Sequence, residues 1–307
     1  MRSLMISLAL FLSVPALSQQ SRWAVVDLSD IFMREKPSYT SQNVSQTRMG
    51  TLVEILDQTG YWVKIRTPEP YEGWTNKLCI SEIGGDAERD GYLASERYIC
   101  IVESTVIHTD PNPYSPRISD FLMGNIIRKG QGRCGAWTEV VTASGRSGWV
   151  LCREVADFRE WAESAVPSAE GIIRTARLFL GVPYMWGGMS PKHFDCSGLS
   201  GFCFFMSGIL LPRDASEQVS CGEEIPFEQM QAGDLVFFGD TSVGHVAIAT
   251  GPGTIIHSSM LVRENSLIPD TPGYYSRNIL NIRRILGNVT DGRGCLRIAD
   301  SPSYFIQ

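Results

Sequence analysis

A chain of 307 residues, 43% hydrophobic and 20% charged, has an ordinary globular composition and the length for two or three domains. Its net charge of −6 and its lack of a long basic run argue against nucleic acid as a partner. Beyond the N-terminus no apolar run approaches the roughly 20 residues that a spanning helix needs, so no membrane span is expected.

The first residues have the pattern of an export signal. Arg2 gives a positive start, Leu4 to Leu17 is almost wholly apolar, and Ala16-Leu17-Ser18 fits a small-x-small cleavage site. The expectation is a signal peptide over 1–18, a mature chain from Gln19 or Gln20, and an exported protein, periplasmic or secreted. No cysteine follows the apolar run, which argues against a lipid anchor. Eight cysteines in an exported chain invite a disulfide reading, with Cys79/Cys100 and Cys134/Cys152 as candidate pairs.

An internal repeat with a period of 75 residues comes next. Trp62 and Trp74 are 12 residues apart, as are Trp137 and Trp149, and each pair ends on Gly-Trp. Upstream of each lies Met-Gly and an apolar run, Met49-Gly50 in one copy and Met123-Gly124 in the other. Short alternating runs broken by Gly, Pro, Asn and Ser predict an all-β unit of about five strands in each copy, over 22–85 and 92–155. The copies resemble bacterial SH3-like domains.

The texture then changes. Ser168 to Leu180 has helical apolar spacing, with Ser168 as N-cap and Gly181-Val182-Pro183 as stop. Cys196 to Met206 is a second apolar helix. β-like runs follow at Asp234–Phe238, His245–Thr250, Thr254–His257 and Ile279–Ile285. Helices first and an antiparallel sheet after is an α+β pattern.

Cys196 opens its helix, where outward backbone N–H groups favour a thiolate. His245 lies 49 residues on in a strand-like run, and His257 lies 12 residues further on. Together they suit a nucleophile, a base and an orienting residue. Asp195 and Ser197 are polar neighbours that a buried core cysteine would not need. The first N–H groups of the helix can hold an oxyanion, and Tyr184 just upstream is a further candidate. Cys203, two turns on, reads as a core thiol. Zinc held by Cys196, His245 and His257 is the alternative, but no Cys-x-x-Cys or His-x-x-x-His pair supports it. Neither metal nor cofactor is expected.

Tyr184-x-Trp186-Gly187-Gly188, Asp195-Cys196-Ser197-Gly198, Gly233-Asp234-Leu235-Val236-Phe237-Phe238, Gly244-His245-Val246 and His257 together resemble the NlpC/P60 cysteine peptidases, over about 168–290. The resemblance implies two small SH3-like barrels followed by an α+β, papain-like peptidase domain. With the repeat in front, the layout is similar to that of the family's γ-D-glutamyl-L-diamino acid endopeptidases. These act on peptidoglycan stem peptides, cutting after D-Glu and preferring a free N-terminal L-Ala.

By the same resemblance Cys196 is the nucleophile, His245 the base and His257 the orienter. Tyr184 and Trp186 are active-site aromatics, and Asp195 and Ser197 contact D-Glu. Asp214, in Arg213-Asp214-Ala215, receives the substrate amine; its other reading is a turn or helix cap after Pro212. Tyr71 matches a tyrosine that the first SH3-like domain lends to the amine pocket. The glutamate expected beside it falls on Lys36, so either Glu35 substitutes by a one-residue shift or Asp214 carries the charge alone. Two other functions stay open: a peptidoglycan-binding protein with an inert peptidase-like domain, and an amidase or acyltransferase of the same fold.

Overall fold

Alternation of buried and solvent-facing residues makes the strands of both repeats. In Trp62–Arg66, for example, Val63 and Ile65 are buried while Lys64 and Arg66 are not. A computed structural model describes residues 21–289 and 294–306, so the expected export signal lies outside the described residues. The first β unit, Arg22 to Ile83, is an antiparallel sheet of seven strands ordered third, second, sixth, fifth, fourth, first, seventh. The second, Arg97 to Asp157, has seven strands in the same order.

Each unit thus exceeds the expected five strands. Short terminal segments join the sheet: Ile80–Ile83 pairs with the opening strand Arg22–Val26, and Val155–Asp157 with Arg97–Cys100. A short helix follows each unit, Asp86–Ala94 and Phe158–Ser164, neither of which is marked by apolar periodicity. Val26, Ile31, Met33, Val53, Val63 and Ile65 fill the first core; Ile107, Phe121, Val140 and Val150 fill the second.

The C-terminal domain begins with helix Ala169–Leu178, where the Ser168 side chain accepts from Gly171 N at 3.2 Å. Helix Cys196–Phe205 packs against it. Both lie on a six-stranded antiparallel sheet whose strands run Glu223–Glu224, Ile279–Arg284, Leu235–Gly239, Val243–Gly251, Thr254–Ser259 and Leu261–Ser266. Phe179, Phe194, Phe202, Phe204 and Phe237 form the helix–sheet core, with Cys203 fully buried among them. Burial of this apolar surface is what holds the helix carrying Cys196 in place.

Neither candidate disulfide is present; Cys79, Cys100, Cys134 and Cys152 are free thiols. Cys79 packs against the first β core and Cys100 lies within the second. In the second unit Cys134 pairs with Trp137, which pairs in turn with Leu151, so a strand separates Cys134 from Cys152. Among the described residues no helix is long and apolar enough to cross a membrane.

Candidate active site

Asp195 fixes the start of the cysteine helix. Its Oδ1 accepts from Gly198 N at 2.6 Å and its Oδ2 from Gly187 N at 2.9 Å. Gly198 is required there, since a Cβ at that position would lie 1.9 Å from Gly188 O. The same carboxylate takes two nitrogens of the fully buried Arg213, Nη2 at 2.6 Å and Nη1 at 3.3 Å. Arg213 Nη1 also donates to Ser197 Oγ at 2.9 Å and Nε to Ser45 Oγ of the first β unit at 2.9 Å. Asp195 is therefore occupied by helix capping and by Arg213. It also lines the cleft.

Cys196, at the first turn, is half-buried in a cleft of about 400 Å³. Burial and the neighbouring Asp195 charge push its thiol up to about 11, opposed by hydrogen bonds from the Val246 and Ser197 N–H groups and by the charge of Arg213. His245 and His257 stand on adjacent strands whose register, Ile248↔Ile256, makes them diagonal neighbours. Their rings meet edge to face, and His245 Nε2 lies 2.7 Å from His257 Nδ1. His257 Nε2 is 2.9 Å from Asn265 Oδ1, while Asn265 Nδ2 donates to Gly273 O at 2.6 Å.

The proton positions follow from this chain of bonds. Asn265 presents its oxygen to His257, so His257 Nε2 carries the hydrogen. In the neutral ring His257 Nδ1 is then the acceptor for His245 Nε2–H. The lone pair of His245 is left on Nδ1, in a ring that lines the cleft with Cys196. Burial pushes His245 down to about 3, with the charges of His257, Arg277 and Arg263 adding to it. Burial also pushes His257 down to about 4, with Asn265 acting the other way. These shifts favour an uncharged thiol and imidazole at rest. Tyr275 and Phe238 pack on the His245 ring and keep water from it.

The Tyr184 phenol is pushed up to about 12, first by burial and then by its nearness to Cys196 and Asp195. It stays protonated and can donate to an oxyanion beside the sulfur.

One cleft brings together Cys196, His245, Tyr184, Trp186, Asp195, Ser197, Asp214, Ala215 and Tyr71. Tyr71 and Val44 reach it from the first β unit. That unit is bound to the cleft by Asn43 Nδ2 donating to Trp186 O at 2.9 Å and Met189 N donating to Gln46 Oε1 at 2.8 Å. Asp214 stands half-buried at the N-cap position of helix Ala215–Gln218, so it is both at a helix cap and in the cleft. Burial raises its carboxyl, offset by Arg213. Burial and Asp214 also raise the Tyr71 phenol. Glu35 is exposed in the turn after strand Asp30–Arg34 and does not reach the cleft. Asp214 is thus the acidic group that faces Tyr71.

Sequence spacing gave no role to Asn265, Arg213 or Ser45. Asn265 lies on Leu261–Ser266, a strand whose polar composition hides it. Arg213 and Ser45 meet across a contact between domains, which spacing along the chain does not reveal.

Two family models match the chain: the NlpC/P60 family over residues 181–284 and a bacterial SH3 domain over 29–81. The chain is 29% identical to a γ-D-glutamyl-L-lysine dipeptidyl-peptidase of Bacillus cereus, covering 78% of this chain and 75% of that protein. It is 28% identical to a protein of the same name from Bacillus subtilis, covering 81% and 84%. Dipeptidyl-peptidase 6 of Lysinibacillus sphaericus is 28% identical over 78% of this chain and 89% of its own length. The fold is similar to the crystal structure of an NlpC/P60 family protein from Bacillus cereus, with a TM-score of 0.75 and 22% identity over 86% of this chain and 99% of that one.

Proposed function

From a chain that carries an NlpC/P60 cysteine peptidase domain behind a bacterial SH3 domain, we infer a hydrolase of the γ-D-glutamyl–diamino acid bond in peptidoglycan stem peptides, selective for a free N-terminal L-Ala. In this mechanism His245 Nδ1 takes the Cys196 proton as Sγ attacks the γ-carbonyl carbon of D-Glu. The oxyanion is held by the Tyr184 hydroxyl and backbone N–H groups at the helix start. The C–N bond breaks, the leaving amine takes the proton from His245, and a thioester remains on Cys196. Water, activated by His245, then releases L-Ala-D-Glu.

The observation that carries the specificity is the wall that the first β unit adds to the catalytic cleft. Val44 and Tyr71 face Asp214 there, in the same cleft as Cys196. A carboxylate in a closed recess suits a cationic amine and rejects an acylated one. Peptides freed from the glycan should therefore be substrates and intact wall, whose L-Ala is tied to the sugar, should not. This suits turnover of released fragments in an exported protein. The presence of Cys196, His245 and His257 together, with His245 and His257 hydrogen-bonded, weighs against an inert binding module.

The test is to incubate the protein with L-Ala-γ-D-Glu-diamino acid and with its N-acetylated form. Release of free L-Ala-D-Glu from the first, with the second cut at least about 10-fold more slowly, is expected for one charge-assisted bond. Equal rates would remove the free-amine reading. No release from either would remove the peptidase reading.

A further inference from the structure

Besides Asp195 and Asp214, the cleft has a charged group with no part in the hydrolysis, Arg277. Arg277 lies in the segment just before strand Ile279–Arg284, exposed and facing the cleft. Its Nη2 stands 3.6 Å from where a side-chain carbon on Gly244 would be, so it lies over the backbone next to His245. It makes no ion pair or hydrogen bond with any described residue. Asp195 and Asp214, the two carboxylates of the cleft, are near Arg213 at 2.6 and 3.9 Å. The cleft therefore offers an anion for an amine at Asp214 and a cation at Arg277.

An unpaired cation beside the base is a handicap to catalysis, because it opposes protonation of His245. A counter-charge arriving with the substrate would lift that handicap. His245 must hand its proton to the leaving nitrogen, so the atoms bonded to that nitrogen lie next to His245 and within reach of Arg277. In a γ-D-glutamyl-L-diamino acid the carbon on that nitrogen bears the main-chain carboxylate. A side-chain carboxylate, as in diaminopimelate, stands several bonds further off.

Resting on the peptidase reading, we propose that Arg277 is a specificity-determining residue that pairs with a carboxylate of the leaving diamino acid, the main-chain carboxylate first. The enzyme would then favour stem tripeptides that end at the diamino acid over longer ones, in which that carboxylate is an amide. A guanidinium can grip the carboxylate with two nitrogens, a geometry a lysine lacks.

The experiment compares L-Ala-γ-D-Glu-L-Lys, its C-terminal amide, and the C-terminal amide of the diaminopimelate tripeptide, with the full-length protein and with Arg277→Gln and Arg277→Lys. Wild type should cut the lysine acid faster than its amide, on the order of 10-fold in kcat/KM. Arg277→Gln should bring that ratio toward one, and Arg277→Lys should restore part of it. A ratio unchanged in Arg277→Gln, or a wild type indifferent to the acid, would overturn the proposal. Recovery of the preference by the diaminopimelate amide would support the carboxylate pairing and assign it to the side chain. Release of L-Ala-D-Glu from any of these peptides by wild type tests the underlying reading separately.

Discussion

A neutral imidazole has one proton for two nitrogens, and the two histidines here need that proton on a particular side. Asn265 settles the matter through a single oxygen, 2.9 Å from His257 Nε2. The backbone carbonyl of Gly273 in turn holds the Asn265 amide in its orientation. Replacing Asn265 by Leu should free His257 to place its hydrogen on Nδ1, facing the Nε2–H of His245, and so turn the base away. We expect kcat to fall on the order of 10-fold with little change in KM, comparable to the loss when a hydrogen-bond partner that orients a metal-bound imidazole is removed. Asn265→Asp keeps the acceptor and adds negative charge, which favours the imidazolium. The acidic limb of the kcat/KM profile should then move to higher pH. A Leu variant with the wild-type kcat and pH profile would leave Asn265 without a positioning role.

The cysteine helix shows how one element serves two purposes. Its N-cap, Asp195, takes the Gly198 N–H of the first turn and also neutralises Arg213, which is 2% exposed. Arg213 reaches Ser45 in the first β unit, so the helix start, the Arg213-Asp214-Ala215 turn and the neighbouring domain form one network. Arg213→Met should leave Asp195 buried without its counter-charge. Thermal or denaturant unfolding should show a loss of about 3–5 kcal/mol. Adding Asp195→Asn should recover part of it, because the two residues share a network. Additive losses would separate them. The N-cap at Ser168 and the core thiol Cys203 were legible in the sequence, because caps and helical spacing are local signals; the capping role of Asp195 emerged only from its bond to Gly198 N. The polar strand bearing Asn265 was not, since its side chains answer to a partner strand and not to a local alternation. The expected Glu35 fails for a related reason: distance along the chain does not say which side of a turn faces the cleft.

Across the whole molecule the repeated Met-Gly pairs prove to be joints between successive units. Met49 belongs to the first β unit by sequence, yet it packs in the core of the second. Met123 of the second unit packs in the core of the C-terminal domain. Lys192 adds a three-way tie, with Nζ 3.7 Å from Asp30 and 2.5 Å from Asp120, one carboxylate in each β unit. The repeat was readable in the sequence; its use as a joint was not, because each Met-Gly meets residues about 75 positions onward. Both glycines have positive φ, and at Gly50 a Cβ would sit 1.9 Å from Ile126 O. Ile126 N also donates to Met49 O at 3.0 Å, so the Met49-Gly50 turn and the start of strand Ile126–Cys134 are held in close contact at this point. Gly50→Ala should therefore force the β units apart, whereas Gly60→Ala meets nothing within 4 Å and bears backbone strain alone. The Gly60 variant should lose roughly 1–2 kcal/mol, the cost of a left-handed alanine. The Gly50 variant should lose clearly more. It should also narrow the preference for a free N-terminal amine, since the displaced unit carries Val44 and Tyr71. Equal unfolding midpoints for the two variants, with the amine preference intact, would show that the contact at Gly50 does not set the position of the first unit over the cleft.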